Sequence, residues 1–431
     1  MMTRQTVTRR RILEGAGAAS ALAAAPAFLQ HATAATPIKI GIPTVITGGY
    51  ALLGSQVIRT CKLVKKMTDA KGGVLGQPVE FFYQDTQGDP ATCVRKCQEL
   101  VERDNCRILS GVIVSSEAAA MLPKLEEWNA IFISHGNGDG RLTAELFVPR
   151  FFRANTSAPM GARALALYLK DAPEKKFIAI ASDAAWGRSS NAAFEEQIKK
   201  VGKDLVDKIY APVANKDYSP YITKVLQSGA QGCYVALQGD EARAFYSQAT
   251  QYGLAQRVQF FTEIVAQADI KVLGKDAIGL MGSSRYPLTY DIPQNKAFRE
   301  AFMSEYKNEI PDWSDGEMYQ ALMILFAAIE KAGSPEPMKI VAAMEDLEVT
   351  SVKGPILMRK CDHQGENQGF VVKVAKNDKY AEPIAEIVKI YPREVNTPDC
   401  RSASYSKCGL LLGAVRSTGR PTFDWRSPET R

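Results

Sequence analysis

The sequence has few of the residues, and none of the short motifs, that mark metal centres, nucleotide sites or esterase-type active sites. Among its 431 residues there are three histidines and eight cysteines, and no two cysteines follow the C-x-x-C spacing. It has no G-x-x-x-x-G-K-[ST], no G-x-G-x-x-G after a predicted strand and no G-x-S-x-G. Because these motifs position zinc, phosphate groups or a nucleophilic serine, their absence argues against a zinc protein, an ATPase and an α/β-hydrolase.

The body of the chain also lacks an excess of positive charge. The net charge is +6, but the first 35 residues carry +3 and the last 31 carry +4, so residues 36–400 hold −1. Recognition of nucleic-acid phosphates needs a clustered positive face. We therefore expect no nucleic-acid partner.

The first 35 residues have the pattern of an export signal. T-R-R-R-I-L at 8–13 resembles a twin-arginine motif, an apolar stretch follows at 16–29, and H-A-T-A-A ends the segment. This pattern predicts cleavage after Ala35 and a periplasmic protein. A retained membrane anchor is the alternative, but the apolar run is shorter than the ~20 residues that a spanning helix needs.

The cysteines suit an oxidising compartment, in which disulfides persist. Candidate pairs lie among Cys61, Cys93, Cys97 and Cys106, and a separate bridge from Cys361 to Cys400 is also a candidate; the sequence leaves the connectivity open. A zinc site formed by Cys93, Cys97, Cys106 and His135 is the disfavoured alternative.

Strands and helices alternate from residue 38, which predicts an α/β protein with parallel sheets covered by helices on both faces. The predicted strands are residues 38–43, 79–84, 108–114, 130–134, 177–182, 205–210, 232–237, 259–262 and 278–284, with late strands at 355–358, 369–375 and 386–391. The predicted helices are 90–103, 159–170, 189–201, 218–227, 241–252, 295–307 and 316–332.

Breaks in this alternation near 151–159 and 282–287 predict two lobes joined by a hinge, with a cleft between them. We expect lobe 1 to comprise residues 36–155 and 285–355. Lobe 2 would comprise 156–284 and 356–398, and residues 399–431 are predicted to be a disordered tail because they show little periodicity.

The stretch G-V-I-V-S-S-E-A-A at 111–119 places two hydroxyls between a buried strand and a helix. Ser115 and Ser116 are therefore predicted at a helix N-cap, where free backbone N–H groups attract anions. They either contact a ligand or cap their own helix.

Several blocks of the sequence resemble the leucine/isoleucine/valine-type solute-binding proteins of ABC importers. The blocks are I-K-I-G-I-P-T-V-I-T-G-G-Y-A-L-L-G, D-A-K-G-G-V-L-G-Q-P-V-E-F-F-Y-Q-D-T-Q-G-D-P-A, I-L-S-G-V-I-V-S-S-E-A, I-A-I-A-S-D-A-A-W-G-R-S and M-R-K-C-D-H-Q, and they spread over residues 38 to about 398. The resemblance implies a type I periplasmic-binding fold with two Rossmann-like lobes and three crossover strands. It also implies one small solute enclosed between the lobes.

The same resemblance implies a binding site at the loops that face the cleft. Ser115 and Ser116 would hold the solute's carboxylate, Trp186 would cover the solute from the second lobe, and Gln238 and Glu263 would come from two further loops of that lobe. Members that bind amino acids use a carboxylate near the position of Glu263 to pair with the α-amino group.

Other residues are candidates from their own chemistry. Gly136, Asn137 and Gly138 would offer backbone N–H groups beside the serines, or form a plain turn; Gly138 departs from the hydroxyl residue that amino-acid binders have there. Tyr50 and Tyr286 would wall the cleft or pack elsewhere. A triad of Ser116, His135 and Asp139 is disfavoured without a nucleophile elbow.

These features predict a monomeric, exported, non-enzymatic receptor with no cofactor. It would deliver an amino acid, an amide or urea, or an aromatic acid to an ABC permease in the inner membrane. A periplasmic sensor that presents its closed form to a membrane receptor, and a periplasmic hydrolase, are the rival functions.

Overall fold

The computed structural model describes residues 36–400, and their elements form two large sheets, each covered by helices, and one small three-stranded sheet. The first series is β1 (Ile38–Thr44), α1 (Ala51–Asp69), β2 (Val79–Asp85), α2 (Pro90–Glu102), β3 (Ile108–Leu109), α3 (Ser115–Met121), β4 (Ile131–Ser134) and β5 (Phe151–Arg153). Its strands pair in the order β2-β1-β3-β4-β5, all parallel.

A second series follows in the same α/β pattern. It consists of α4 (Ala158–Leu169), β6 (Lys176–Ser182), α5 (Ala185–Lys200), β7 (Asp204–Ala211), α6 (Ser219–Gln227), β8 (Gly232–Ala236), α7 (Asp240–Gln251), β9 (Gln259–Thr262), α8 (Gln267–Leu273) and β10 (Met281–Ser284).

The rest of the described chain completes both parts of the fold. Its elements are α9 (Pro293–Glu305), α10 (Trp313–Ala332), α11 (Pro337–Met344), β11 (Leu347–Ser351), β12 (Gly354–Met358), β13 (Gly365–Glu366), β14 (Gly369–Ala375), β15 (Ile384–Tyr391) and α12 (Arg393–Asn396). Strands β11, β12 and β13 form a small antiparallel sheet that the sequence did not predict.

We call β1–β5 with α1–α3 and α9–α11 the five-stranded half, and β6–β10, β14 and β15 with α4–α8 the seven-stranded half. The second sheet has the order β15-β14-β10-β9-β8-β6-β7. It is not wholly parallel, because β14 pairs antiparallel with both β10 and β15. The chain passes between the halves after β5, after β10 and between β13 and β14.

Helices cover both faces of each sheet, as near-continuous apolar strands require. In the five-stranded half, α1 and α10 share one core and α2 and α3 share another. Residues 108–114 were predicted as one strand, but β3 ends at Leu109. Gly111 ends the extended run with a φ of +95°, and a Cβ on it would lie 2.7 Å from Ile42 Cγ2.

The cysteines differ in part from the prediction. Cys361 is joined to Cys400 by a disulfide. The predicted pairing among the first four is wrong, because Cys61, Cys93, Cys97 and Cys106 are all free and buried. Cys61 lies in the core beside α10, whereas the other three lie in the core between α2 and α3.

Two predictions concern the ends of the chain. The export signal, its cleavage after Ala35 and the tail beyond Cys400 lie outside the described residues. Within residues 36–400, no helix is both long enough and apolar enough to cross a membrane.

Candidate functional site

Loops at the carboxyl ends of strands from both sheets meet between the two halves. The five-stranded half contributes the turn after β4 and the start of α10, and the seven-stranded half contributes the loops after β6, β8 and β9. In α/β sheets this edge is the usual place for a ligand. The cleft between the halves is therefore the candidate site.

Arg285 lies at the centre of this cleft and was not predicted as a site residue. Its side chain is 1% exposed. Nη1 donates to the carbonyl oxygen of Gly136 at 2.9 Å, and Nη2 donates to Oε1 of Glu263 at 3.2 Å. The guanidinium also lies 5.4 Å from the ring of Trp313. Arg285 thus connects the turn after β4 to the loop after β9 with a buried positive charge.

Several buried polar atoms around Arg285 have no hydrogen-bond partner. They are Nε of Arg285, Oε2 of Glu263, Nε1 of Trp186, Nε1 of Trp313 and both ring nitrogens of His135. Buried polar groups in native proteins are nearly always paired, so a concentration of unpaired ones calls for an explanation. A polar solute bound among them would supply the missing partners.

Burial and Arg285 set the protonation states in this cluster. Burial, together with the charge of Arg285, lowers the pKa of His135 to about 3, so this ring is neutral at neutral pH. Burial raises the pKa of Glu263, while Arg285 opposes that change. Glu263 and Arg285 form the buried ion pair of the site, with 3.2 Å between Oε1 and Nη2.

Ser115 is buried beside the cluster, but it is not the N-cap that the sequence predicted. Val114 occupies the N-cap position of α3, and Ser115 is its first residue. The carboxylate of Glu117 accepts the Val114 N–H at 3.2 Å, and Ser115 Oγ accepts the N–H of Asp139 at 3.3 Å. Ser116 follows it and is half-buried.

The turn after β4 is a close-packed contact and not an open row of N–H groups. Gly136 offers its carbonyl to Arg285. The side chain of Asn137 holds the turn, because its Nδ2 donates to Ile113 O at 3.1 Å and its Oδ1 accepts from Ser134. A Cβ on Gly138 would lie 2.5 Å from Arg285 Nη2 and 2.6 Å from Trp186 Cδ1.

The first turn of α5, which follows β6, reaches the same turn from the seven-stranded half. Trp186 lies against Gly138, and Ser189 Oγ accepts the N–H of Gly140 at 3.0 Å. The indole is therefore placed where it can cover a solute held near Arg285.

Tyr50 and Gln238 lie on the opposite flank of the cleft. A narrow cavity there is lined by both of them, with Gly239, Asp312 and Trp313 among its other residues. Burial raises the pKa of Tyr50, and the nearby carboxylate of Glu241 adds to this. Larger surface grooves lie elsewhere, including one of about 480 Å³ beside α4 and β15. The charged residues that line these grooves are exposed or half-buried.

Tyr286 is placed away from the cluster. It is buried in the core of the five-stranded half, where its ring lies 5.7 Å from the ring of Phe298. A Cβ on Gly316 would lie 2.2 Å from it, so α10 packs directly on this ring.

The structure gives no support to the alternative catalytic and metal sites. The carboxylate of Asp139 is bound by Arg141 at 2.7 Å and makes no bond to His135. Within residues 36–400, one group of three possible metal ligands lies close together, Cys361, Asp362 and Cys400, and the disulfide occupies both of its sulfur atoms.

Comparisons with known proteins agree with this architecture. A family model described as periplasmic binding protein matches residues 37–379. The "Leu/Ile/Val-binding protein homolog 6" of Brucella suis is 28% identical over 371 residues, which cover 83% of this chain and 93% of that protein. A leucine-, isoleucine-, valine-, threonine- and alanine-binding protein of Pseudomonas aeruginosa is 26% identical and covers 74% of this chain and 84% of its own.

Solved structures show the same fold. The ABC-transporter solute-binding protein of Rhodopseudomonas palustris BisB5, in complex with 3,4-dihydroxybenzoic acid, superimposes with a TM-score of 0.77 at 22% identity. The match covers 83% of this chain and 98% of that one. The chain therefore belongs to the periplasmic binding protein family, as a type I solute-binding protein of ABC transporters and not an enzyme.

Proposed function

We propose that this protein captures a small aromatic carboxylate in the periplasm, encloses it by hinge closure and delivers it to an ABC permease. The sequence resemblance implies an amino acid, an amide or urea, or an aromatic acid as the solute. Of these, the buried charge of Arg285 favours an aromatic acid. The unpartnered Nε–H of this guanidinium, between Trp186 and Trp313, is the observation that carries the proposal.

A carboxylate fits the unpaired donors of the cleft. Nε of Arg285 and the indole N–H groups of Trp186 and Trp313 are donors, and a carboxylate has only acceptors. A charge-assisted hydrogen bond in a closed site contributes about 1.5–3 kcal/mol. The two indoles add apolar faces suited to a flat ring.

An α-ammonium group fits this site less well. Glu263 is the buried acid beside Arg285, which already pairs with it. A solute ammonium near Glu263 would also lie near the guanidinium, and like charges at short range in a buried site repel strongly. We therefore expect the free acid to bind better than the corresponding amino acid.

Ligands of structurally similar proteins support this choice. Two further solute-binding proteins of R. palustris, at 23% and 18% identity and TM-scores of 0.76 and 0.75, were solved with 4-hydroxybenzoate and with benzoate.

Binding is tested by thermal shift and calorimetry on protein that has been unfolded and refolded to remove any retained solute. We expect benzoate, 4-hydroxybenzoate or 3,4-dihydroxybenzoate to raise the melting temperature, and phenylalanine and the methyl ester of the same acid to have little effect. Trp186→Ala should abolish the shift. A response to leucine or urea with none to the aromatic acids would refute the proposal.

Delivery needs a separate test. Deleting the gene should abolish uptake of the radiolabelled acid, and restoring it should restore uptake. Unchanged uptake with intact binding would instead favour the sensor function. We also propose that residues 1–35 direct export and are removed near Ala35, which N-terminal sequencing of the periplasmic protein checks.

A further inference from the structure

One carboxylate holds the two halves together on the flank that carries Tyr50. Asp312 lies just before α10 of the five-stranded half and is 4% exposed. Its Oδ1 accepts the N–H of Trp313 at 2.7 Å and the N–H of Gln267 at 2.8 Å. Its Oδ2 accepts the N–H of Ala268 at 3.0 Å and Nε2 of Gln56 at 3.3 Å.

Gln267 and Ala268 belong to the first turn of α8 in the seven-stranded half. Asp312 therefore bonds the first-turn N–H groups of two helices at once, one from each half. A side chain that merely capped α10 would need only one of these contacts. The two bonds to α8 exist only while the halves are together, whereas the bonds to Trp313 and Gln56 remain within one half.

We infer that Asp312 is a positioning residue that stabilises the closed form and slows solute release through its bonds to α8. The part of this inference that concerns solute release rests on the proposed function, whereas the contact itself does not. When the halves separate, the N–H groups of Gln267 and Ala268 exchange a buried charged acceptor for water. Since charge-assisted bonds in a buried site are stronger than bonds to water, this exchange favours closure.

The surroundings hold Asp312 in place. Gln56 from α1 and the main chain of α8 are its partners, and Asp269 is the nearby acid of the seven-stranded half. Arg59 of α1 contributes a nearby positive charge from the five-stranded half. Arg243 lies 3.9 Å from the carboxylate of Asp269 and faces the same region.

Asp315 provides a matched control in the same helix. It is also fully buried, and its carboxylate binds Nε of Arg59 at 2.7 Å, Oγ1 of Thr60 at 3.0 Å and the N–H of Asp312 at 2.9 Å. All of these partners lie in the five-stranded half. Substitution of Asp315 therefore perturbs the stability of one half without removing a bond between halves.

The test variant is Asp312→Ser, because serine still caps α10 but its single short hydroxyl cannot also reach α8. Hydrogen exchange is measured on the full protein without any solute, at the N–H groups of Gln267 and Ala268. We expect exchange there to be roughly tenfold faster or more in Asp312→Ser, as the loss of a charged acceptor implies, and unchanged in folded Asp315→Asn.

A second measurement uses 4-hydroxybenzoate as the probe. Stopped-flow dissociation should be roughly tenfold faster in Asp312→Ser, with a smaller change in the association rate. Unchanged exchange in the folded variant, or an equal effect of Asp315→Asn, would overturn the inference. So would a wild-type dissociation rate in Asp312→Ser. If wild-type protein does not bind the probe, the proposed function fails while the exchange result still decides whether Asp312 joins the halves.

Discussion

Two buried pairs of opposite charge occupy different regions of this molecule and have different surroundings. Lys353 and Glu317 lie at the crossing between the halves, with side chains 2% and 0% exposed. Arg285 and Glu263 lie in the cleft and are 1% and 0% exposed. The two pairs have almost the same burial, so burial alone does not distinguish a structural pair from a binding site.

Their hydrogen bonds do distinguish them. At the crossing, Lys353 Nζ donates to Glu317 Oε1 at 2.8 Å and to Thr156 Oγ1 at 3.2 Å, and the Thr156 N–H also donates to Glu317. Gln320 Nε2 joins this network by donating to Glu317 Oε2 at 3.4 Å, and it also donates to Asn367 Oδ1 at 3.0 Å. Oε1 of Gln320 is the one buried atom of these five side chains without a partner. In the cleft, both members of the pair have an unpartnered atom.

This difference in hydrogen bonding indicates which of the two buried pairs can bind a ligand. A buried network with its polar groups paired fixes the chain where it passes between the halves. A buried network with unpaired donors is costly unless another molecule completes it. The comparison therefore indicates a structural role for the crossing pair and supports the proposal that the cleft pair binds the solute.

The largest effect should come from breaking the pair at the crossing. Lys353→Met leaves Glu317 buried without its counter-ion, and losing one partner of a buried pair costs about 3–5 kcal/mol. We expect urea unfolding to show a loss of that size. Lys353→Met combined with Glu317→Leu should recover part of it, and a stable single variant would contradict the structural role of this pair.

Breaking the cleft pair should affect binding more than stability. Arg285→Met removes the positive charge that receives the carboxylate, so calorimetry should show aromatic-acid affinity weakened roughly 100-fold, in line with about 3 kcal/mol for a charge-assisted bond. Arg285→Met combined with Glu263→Gln removes the buried unpaired charge as well. The double variant should regain stability but not binding; recovery of both would mean that Arg285 serves only the fold.

A third carboxyl group links closure to pH. Asp269 is buried in this structure, and burial, with a contribution from Asp312, raises its pKa to about 7, while Arg243 acts to lower it. In the open form the group would meet water, where its pKa is about 3.9. Closure then takes up a proton, so this contribution to closure is largest below about pH 4 and is lost as the pH rises through about 7.

This linkage predicts that aromatic-acid affinity falls about tenfold between pH 6 and pH 8, because one proton is bound on closure. Asp269→Asn should remove that part of the pH dependence. His135, whose lowered pKa acts in the opposite direction, is retained in both proteins. Identical pH profiles for the variant and the wild-type protein would exclude Asp269 as the proton acceptor.

The alternation of strands and helices could be predicted from the sequence because apolar periodicity is a local signal. The end of β3 at Leu109 could not, since the apolar residues continue to Val114 and the extended run is broken by the positive φ of Gly111. The antiparallel pairing of β14 likewise depends on where the returning chain meets β10.

The site was predicted only where loops follow strands. Trp186, Gln238 and Glu263 were predicted in this way and stay predictions, whereas Arg285 was not predicted. Its partners Gly136 and Glu263 are 149 and 22 residues away in the chain, so no local pattern links them. The available signal was a lone arginine after two buried serines in G-S-S-R-Y-P, at a crossing between halves.

The smallest predicted effect separates the ring of Trp186 from its N–H group. The indole lies against Gly138 with Nε1 buried and unpartnered, so it can contribute both an apolar face and one donor to the solute. Trp186→Phe keeps an aromatic face and removes the donor. Because a single neutral hydrogen bond contributes about 0.5–1.5 kcal/mol, calorimetry should show affinity for the aromatic acid reduced by roughly tenfold at most. A loss as large as that of Trp186→Ala would mean that the N–H group provides most of the contribution of Trp186 to affinity. An unchanged affinity would mean that Arg285 and Trp313, and not Trp186, donate to the solute.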